Sequence, residues 1–559
     1  MKSPFQAIKW HYSSTHYERS QKQIDREEWL IPGVLRFNRF FLMPAAVVMQ
    51  VCCGSLYAWS GYNLPIERAI FGPNLNAAGV AIDRGQASNV FFVAVAVFGL
   101  TSAILGPWLE RNGPFKGAVL GSTLFFLGNL LAGLGVQVKS LELVFFGYGF
   151  VGGAGLGVSY IAPVSPLQKW FPDLRGLAAG LAVCGFGAGS IFSPFTQKAL
   201  IGANYANTGV ENLGVPKTFV ILGCCYFFLM TLSAFVLRMP PPGYQIKGID
   251  IHTVKGAENF ANTAPTQTVT KTMHDDPVID KTESTHTVVD VQHNQPSSSA
   301  FALSLSEALK SKEYILMYIM FFCAEITGLL IISKIQSIVQ NQLGKGADVA
   351  ANINSALGGC NLAGRLILPT LSDFLGQRKP LFLFSLVVQT IFLAILPNAI
   401  GSQQYILTLI CAFAIAFCYG GGFGLIPAFL ADQFGSKNVG ATHGVILTAW
   451  ALAGVGGGLI FNKIYKMEVA RLKPDLLHAY DLNFRWILAF VCLGVLITLF
   501  VPTNLRDRRL PKKTGETLRF RLINGRLVRV FGFKPVMYSK AEEDHEWAEY
   551  LSTMETTAR

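Results

Sequence analysis

An arginine inside an apolar run is the residue of this chain best suited to chemistry. Gly364-Arg365 falls within the apolar segment 349–371. A guanidinium carried into a lipid-spanning helix is costly unless it faces a cavity or a partner, so Arg365 is a candidate binding group. Its planar fork offers paired donors that match the two oxygens of a carboxylate, and desolvation strengthens the contact. Asp373 lies eight residues on, about 12 Å along a helix and too far for direct pairing. Asn361, one turn earlier on the same face, is placed to orient the arginine. Glu325, within Phe321-Phe322-Cys323-Ala324-Glu325-Ile326-Thr327-Gly328, is an acid deep in another apolar run. It is either a proton carrier or a hydrogen-bonded structural residue. Lys334 falls on roughly the opposite face and near the outer end of that run, where snorkelling is expected and a second substrate cation is the alternative. His443 opens a later apolar segment and reads as an interfacial hydrogen bonder.

The elements that must hold these groups follow from composition. The chain of 559 residues is 51% hydrophobic and only 14% charged, against about 25% charged in a soluble domain, and its mean hydropathy is +0.40. At about 20 apolar residues per crossing, six spans are predicted before residue 239: about 40–62, 87–109, 115–137, 141–164, 177–200 and 218–237. Six more follow, at about 314–336, 349–371, 380–400, 404–430, 442–464 and 484–502. The expected fold is an all-α polytopic membrane protein of two six-helix halves, 40–238 and 313–502. Flanking them are an N-terminal segment 1–39, a tail 503–559, and a Thr/Asp/His/Gln/Ser-rich linker 239–312 whose composition predicts disorder. The tail mixes basic and apolar residues at near-alternating spacing, suited to the membrane surface or a partner. The net charge of +12 is concentrated beside the membrane, where an anionic leaflet, not nucleic acid, accounts for it. All ten cysteines lie in apolar runs and read as core residues. No spacing suggests a metal site, a cofactor, an ATP-binding loop or a hydrolytic triad.

The halves repeat one another. Gly106-x3-Glu110-x2-Gly113-x2-Lys116 matches Pro369-x3-Asp373-x2-Gly376-x2-Lys379 at an offset of 379 − 116 = 263. Pro163 and Gly176 match Pro427 and Gly440 at 427 − 163 = 264. Parallel six-helix repeats with the substrate held between them are one way transporters are built. Basic residues after spans 2, 4, 8 and 10 (Arg111, Lys116, Lys169, Arg175, Arg378, Lys379, Lys437) and basic termini put those loops and both termini in the cytosol. The plasma membrane is the default location.

These acid–glycine–base loops resemble the loop motif of the major facilitator superfamily. Within it, Lys169-Trp170-Phe171-Pro172-Asp173-Leu174-Arg175-Gly176, Tyr57-x-Trp59 and Gly364-Arg365-x6-Ser372-Asp373 are similar to the oxalate/formate antiporter family, which moves small carboxylates. The resemblance implies that Arg365 binds the substrate carboxylate. It further implies a cavity lined by Tyr57, Tyr160, Tyr419 and Phe423, with Phe186 where the family has a tyrosine. The family's helix-11 lysine, which takes a second carboxylate, falls at Trp450 here. One fixed cation instead of two favours a monoanion such as lactate, pyruvate or formate. Glu110, Arg111, Asp373 and Lys379 are expected as gating contacts, with simple solvation as their alternative.

The function expected is secondary active carboxylate transport by alternating access, with no enzymatic step. Its partners are the bilayer, a small organic anion, and a proton or counter-anion. Oxalate/formate-type exchange and a non-transporting nutrient receptor of the same fold are the alternatives.

Overall fold

The computed structural model describes residues 4–13, 17–72, 85–202, 214–256, 303–472 and 477–558. The central part of the linker, 257–302, where disorder is expected, lies outside the described residues. Twelve long helical passes carry the fold. In the first half they are α1 (Arg39–Ala58), α2 (Ser88–Asn112), α3 (Pro114–Gln137), α4 (Leu141–Trp170), α5 (Arg175–Ile201) and α6 (Gly214–Ala234). In the second they are α7 (Lys312–Gln340), α8 (Ala347–Leu375), α9 (Lys379–Gly401), α10 (Tyr405–Phe434), α11 (Val439–Leu472) and α12 (Asp481–Phe500). Both termini and the linker emerge at one end of the bundle, called here the linker face.

Eleven of these helices are long and apolar enough to cross a membrane. The exception is α8, at 29 residues, which spends its apolar character on Asp348, Asn352, Asn354, Asn361, Arg365, Ser372 and Asp373. Its Asn361, Arg365 and Ser372 are buried where α8 packs against α5 and α10, so they are tolerated where a lipid-facing position would not hold them. Helices α4, α10 and α11 run past their predicted ends because the helical ladder continues beyond the hydrocarbon core. The loop motif Lys169–Gly176 is accordingly half helix, with residues 171–174 between α4 and α5.

The halves meet along α2 against α11 and α5 against α8. Small residues make these seams. On α5, a Cβ at Gly176 would strike the Pro369 carbonyl, and one at Gly180 would come within 2.6 Å of the Arg365 carbonyl. Such approach between backbones is what glycine permits in membrane helices. Gly364 is equally confined, since a methyl there would meet the Phe417 carbonyl of α10. Gly364→Ala is therefore expected to cost about 1–3 kcal/mol through overpacking and to lower the melting temperature of the purified protein; wild-type melting would show that α8 and α10 can part. The repeated loop glycines have a separate role. Gly113 (φ +86°) and Gly376 (φ +66°) both end a helix in the left-handed region, where a side chain is disfavoured.

Six cysteines (Cys52, Cys53, Cys184, Cys323, Cys411, Cys418) are buried as expected, whereas Cys224, Cys225 and Cys492 lie on the outer surface of the bundle. The N-terminal segment forms a helix Pro4–His11 and an antiparallel pair, β1 (Trp29–Ile31) with β2 (Leu35–Arg36).

The tail is folded. β3 (Glu516–Arg521), β4 (Leu527–Phe531) and β5 (Lys534–Met537) form an antiparallel sheet followed by a helix, α13 (Lys540–Ala558). The near-alternation seen in the sequence is the period of these strands. Their arginines find acids: Arg521 pairs with Asp507 and Glu543, and fully buried Arg529 reaches Glu546 at 2.8 Å. Val254 of the linker packs with Leu505, Leu510, Trp547 and Leu551, tying linker and tail together.

Candidate functional site

Arg365 is completely buried midway along α8, at the seam with α5. Asn361, one turn back, accepts from its Nε at 2.9 Å, and its Nη1 donates across the seam to the Val183 carbonyl at 3.1 Å. Its Nη2 makes no well-aligned hydrogen bond among the described residues, although the Tyr57 and Tyr160 hydroxyls interact with the guanidinium. The guanidinium lies over the ring of Phe423, 4.5 Å from its centroid, with the Phe186 ring 5.5 Å away. These faces hold the plane of the fork and leave its edge as the place for an acceptor. A buried guanidinium N–H without an acceptor is expensive, so an anion at that edge would be strongly favoured.

Tyr57 sits where α1 tightens into a 3₁₀ turn, Ser55–Ala58. Its hydroxyl meets that of Tyr419 at 2.6 Å, and Trp450 Nε1 donates to Tyr419 at 3.1 Å. One hydrogen-bonded chain thus runs from α1 through α10 to α11, crossing between the halves beside the arginine. Tyr160 of α4 is buried, with its hydroxyl near Arg365 but in no well-aligned hydrogen bond. Tyr57, Tyr160, Tyr419 and Glu325 are all electrostatic neighbours of Arg365. Glu325 is fully buried on α7, and neither carboxyl oxygen has a hydrogen-bond partner. It faces Gly422, where a Cβ would lie 2.6 Å from Oε1. Lys334 is elsewhere, donating to Asn462 at 2.9 Å. Trp59, part of the sequence motif, is a packing residue whose indole donates to the Ala87 carbonyl at 3.0 Å.

The loop acids act as a duplicated clasp at the linker face. Glu110, at the end of α2, accepts from the backbone N of Gly440 at 2.7 Å, at the start of α11. Asp373, at the end of α8, accepts from the backbone N of Gly176 and Leu177 at 2.9 and 2.8 Å, at the start of α5. Each acid caps the first turn of a helix in the opposite half, where free N–H groups and the helix dipole both favour negative charge. The other two gate candidates are not at the seam. Arg111 follows Glu110 by about 100° around the helix and donates to the carbonyls of Trp10 and His11, at 2.8 Å each. Lys379 donates to the Leu499 carbonyl of α12 at 2.9 Å. Both hold elements within one half.

A second lock went unassigned in the sequence. Arg175 of α5 pairs with Asp432 of α10 at 3.1 Å, and Arg378 holds the same carboxylate at 2.9 Å. Burial disfavours the charged form of Arg378, but Asp432 and Asp373 outweigh it and hold its pKa above the ordinary arginine value. The start of the linker joins this lock: Thr253 O accepts from Arg175 at 2.9 Å, and Lys255 N donates to the Asp432 carbonyl at 3.0 Å. Arg175 stood inside the motif string, and Asp432 inside the repeated Pro427–Gly440 interval, which was the available signal. With the two clasp contacts and the Arg175–Asp432 pair crossing the halves, this conformer is closed at the linker face. His443, expected at an interface, is instead fully buried, because α11 begins at Val439 and carries it into the bundle.

Two six-helix repeats closed at one face around a buried cation define a membrane transporter. The chain belongs to the Major Facilitator Superfamily, whose family model matches residues 34–458. Among its relatives, the apicoplast pyruvate carrier 1 of Toxoplasma gondii is 26% identical over 75% of this chain and 82% of its own length. The oxalate:formate antiporter of Oxalobacter formigenes is 25% identical over 76% of this chain and 85% of its own. The proton:xylose symporter XylE shares the fold, with a TM-score of 0.56 at 15% identity, over 83% of this chain and 96% of that one.

Proposed function

We propose that this carrier moves small organic monocarboxylates, such as lactate, pyruvate or formate, across the plasma membrane in symport with a proton, with the linker face cytosolic. The observation that carries this reading is the buried Arg365 fork between the halves, whose Nη2 makes no well-aligned hydrogen bond. Similarity to a pyruvate carrier and an oxalate:formate antiporter supports the substrate class. At the place of a second cation stands Trp450, already engaged with Tyr419, which favours one carboxylate over two. Basic loops at the linker face support the orientation.

Charge balance motivates proton coupling. Burying a lone charge is costly, so an empty carrier that reorients across the membrane keeps Glu325 ionised to offset Arg365. When a substrate carboxylate occupies the fork, that offset is supplied by the substrate, and Glu325 takes up a proton. Glu325→Gln removes the offset from the empty carrier. It is expected to abolish proton-driven accumulation while sparing exchange of labelled for unlabelled substrate. Anion exchange is the second reading, favoured by the same cation: without an acid to neutralise it, Arg365 could return only with an anion bound.

Uptake of labelled lactate, pyruvate, formate and oxalate into proteoliposomes, with and without an inward proton gradient, tests both. Monocarboxylate accumulation driven by the gradient supports symport; gradient-independent uptake that requires internal anion supports exchange. Uptake of none of the four would overturn the carboxylate reading.

A further inference from the structure

His443 is fully buried, and neither ring nitrogen has a hydrogen-bond partner among the described residues. Buried imidazoles are nearly always paired, because an unsatisfied polar group loses its hydration without return. Its ring is stacked on that of Tyr160, with centroids 5.9 Å apart and planes 21° apart, and the Tyr160 hydroxyl turns toward Arg365 without a well-aligned hydrogen bond. Tyr160 in turn adjoins Arg365. Along α11, His443 lies seven residues before Trp450, on the same helix face and about 10 Å nearer the linker face. It lies three residues after Gly440, which is held in the clasp by Glu110. Tyr160 therefore bridges the fork and His443, and His443 lies on the side of the Glu110–Gly440 clasp. As packing alone, phenylalanine would fill the same place against Tyr160 without stranding two nitrogens.

We infer that His443, together with Tyr160, contacts the substrate and selects carboxylates bearing a second oxygen on the carbon next to the carboxylate, the 2-oxo and 2-hydroxy acids. This rests on the carboxylate reading of Arg365. A neutral imidazole has one donor and one acceptor nitrogen, and a phenol can do either. The pair can therefore donate to an oxo group or engage a hydroxyl in either sense, which suits both oxidation levels of one substrate. Acids without that oxygen, such as acetate and formate, use the fork alone.

The full-length protein in proteoliposomes tests this with four labelled probes: pyruvate, lactate, acetate and formate. His443→Phe is expected to raise the half-saturation concentration for pyruvate and lactate about tenfold, the worth of a lost hydrogen bond, and to leave acetate and formate within about twofold. His443→Gln, which keeps a donor and an acceptor, is expected to recover much of the loss. If the histidine variants do not fold, competition by each unlabelled acid against labelled pyruvate in the wild-type protein reads the same preference, with pyruvate and lactate expected to compete at concentrations about tenfold lower than acetate and formate. Equal shifts for all four probes, or no shift, would overturn the inference while leaving the carboxylate reading intact. A wild-type protein that moves none of the four overturns both.

Discussion

Arg365→Ala is expected to eliminate saturable carboxylate uptake while the protein still folds and inserts. Removing one member of a buried, hydrogen-bonded charge pair costs about 2–5 kcal/mol of binding, which is a factor of roughly 30 to several thousand in affinity. The folded protein is spared for a related reason. Nη2 makes no well-aligned hydrogen bond, so alanine removes a desolvation cost along with the contacts to Asn361 and Val183. Arg365→Lys separates charge from geometry: it restores the cation but not the planar fork between Phe423 and Phe186, and uptake is expected to stay at least tenfold impaired. Binding of labelled pyruvate and the melting temperature, measured on the same purified samples, check both halves of the expectation. Saturable uptake by the alanine variant would show that the substrate binds elsewhere.

Asp432→Ala is expected to release the linker face. The carboxylate neutralises Arg175 from one half and Arg378 from the other, and all three side chains are nearly solvent-free. Arg378 keeps Asp373 at 2.7 Å, but Arg175 loses its carboxylate, and stranding that buried guanidinium costs about 3–5 kcal/mol, all of it in the closed conformer, since opening the face hydrates it. A shift of that size can invert the balance of a two-state carrier. Ser436, fully buried beside the lock, reports on it. In a Ser436→Cys background, Asp432→Ala is expected to speed labelling by a membrane-impermeant maleimide by tenfold or more. An unchanged rate would mean that the Glu110 and Asp373 clasps hold the face shut by themselves. Asp432→Asn, which keeps the shape but not the charge, is expected to fall between.

The clasp and the lock divide the work of closure in a way the repeat explains. Glu110 and Asp373 occupy matched positions, and so do their targets Gly440 and Gly176, so a single ancestral contact serves twice with the halves exchanged. The Arg175–Asp432 contact crosses the halves once and recruits Thr253 and Lys255 of the linker. Closure is thereby connected to the linker and, through Val254, to the folded tail.

By itself the sequence determined the membrane class, the two six-helix halves, the repeat and the arginine, because each is written in local composition. Apolar length marks a span, a charge inside one stands out against it, and a duplicated spacing needs no coordinates to be seen. The folded tail was half legible: its alternation was visible, but strands are recognised only once their arginines have acids to meet. Only the tertiary structure decided which polar residues share the site and which do not. Arg111 and Glu110 are neighbours in sequence yet serve different elements, since adjacent helical residues point about 100° apart. Asp432 and Arg175 are 257 residues apart and became a lock only when the halves closed on each other. His443 read as interfacial because its burial depends on where α11 starts and on what α4 places against it. Contacts between distant segments are set by packing, and packing is a property of the whole fold.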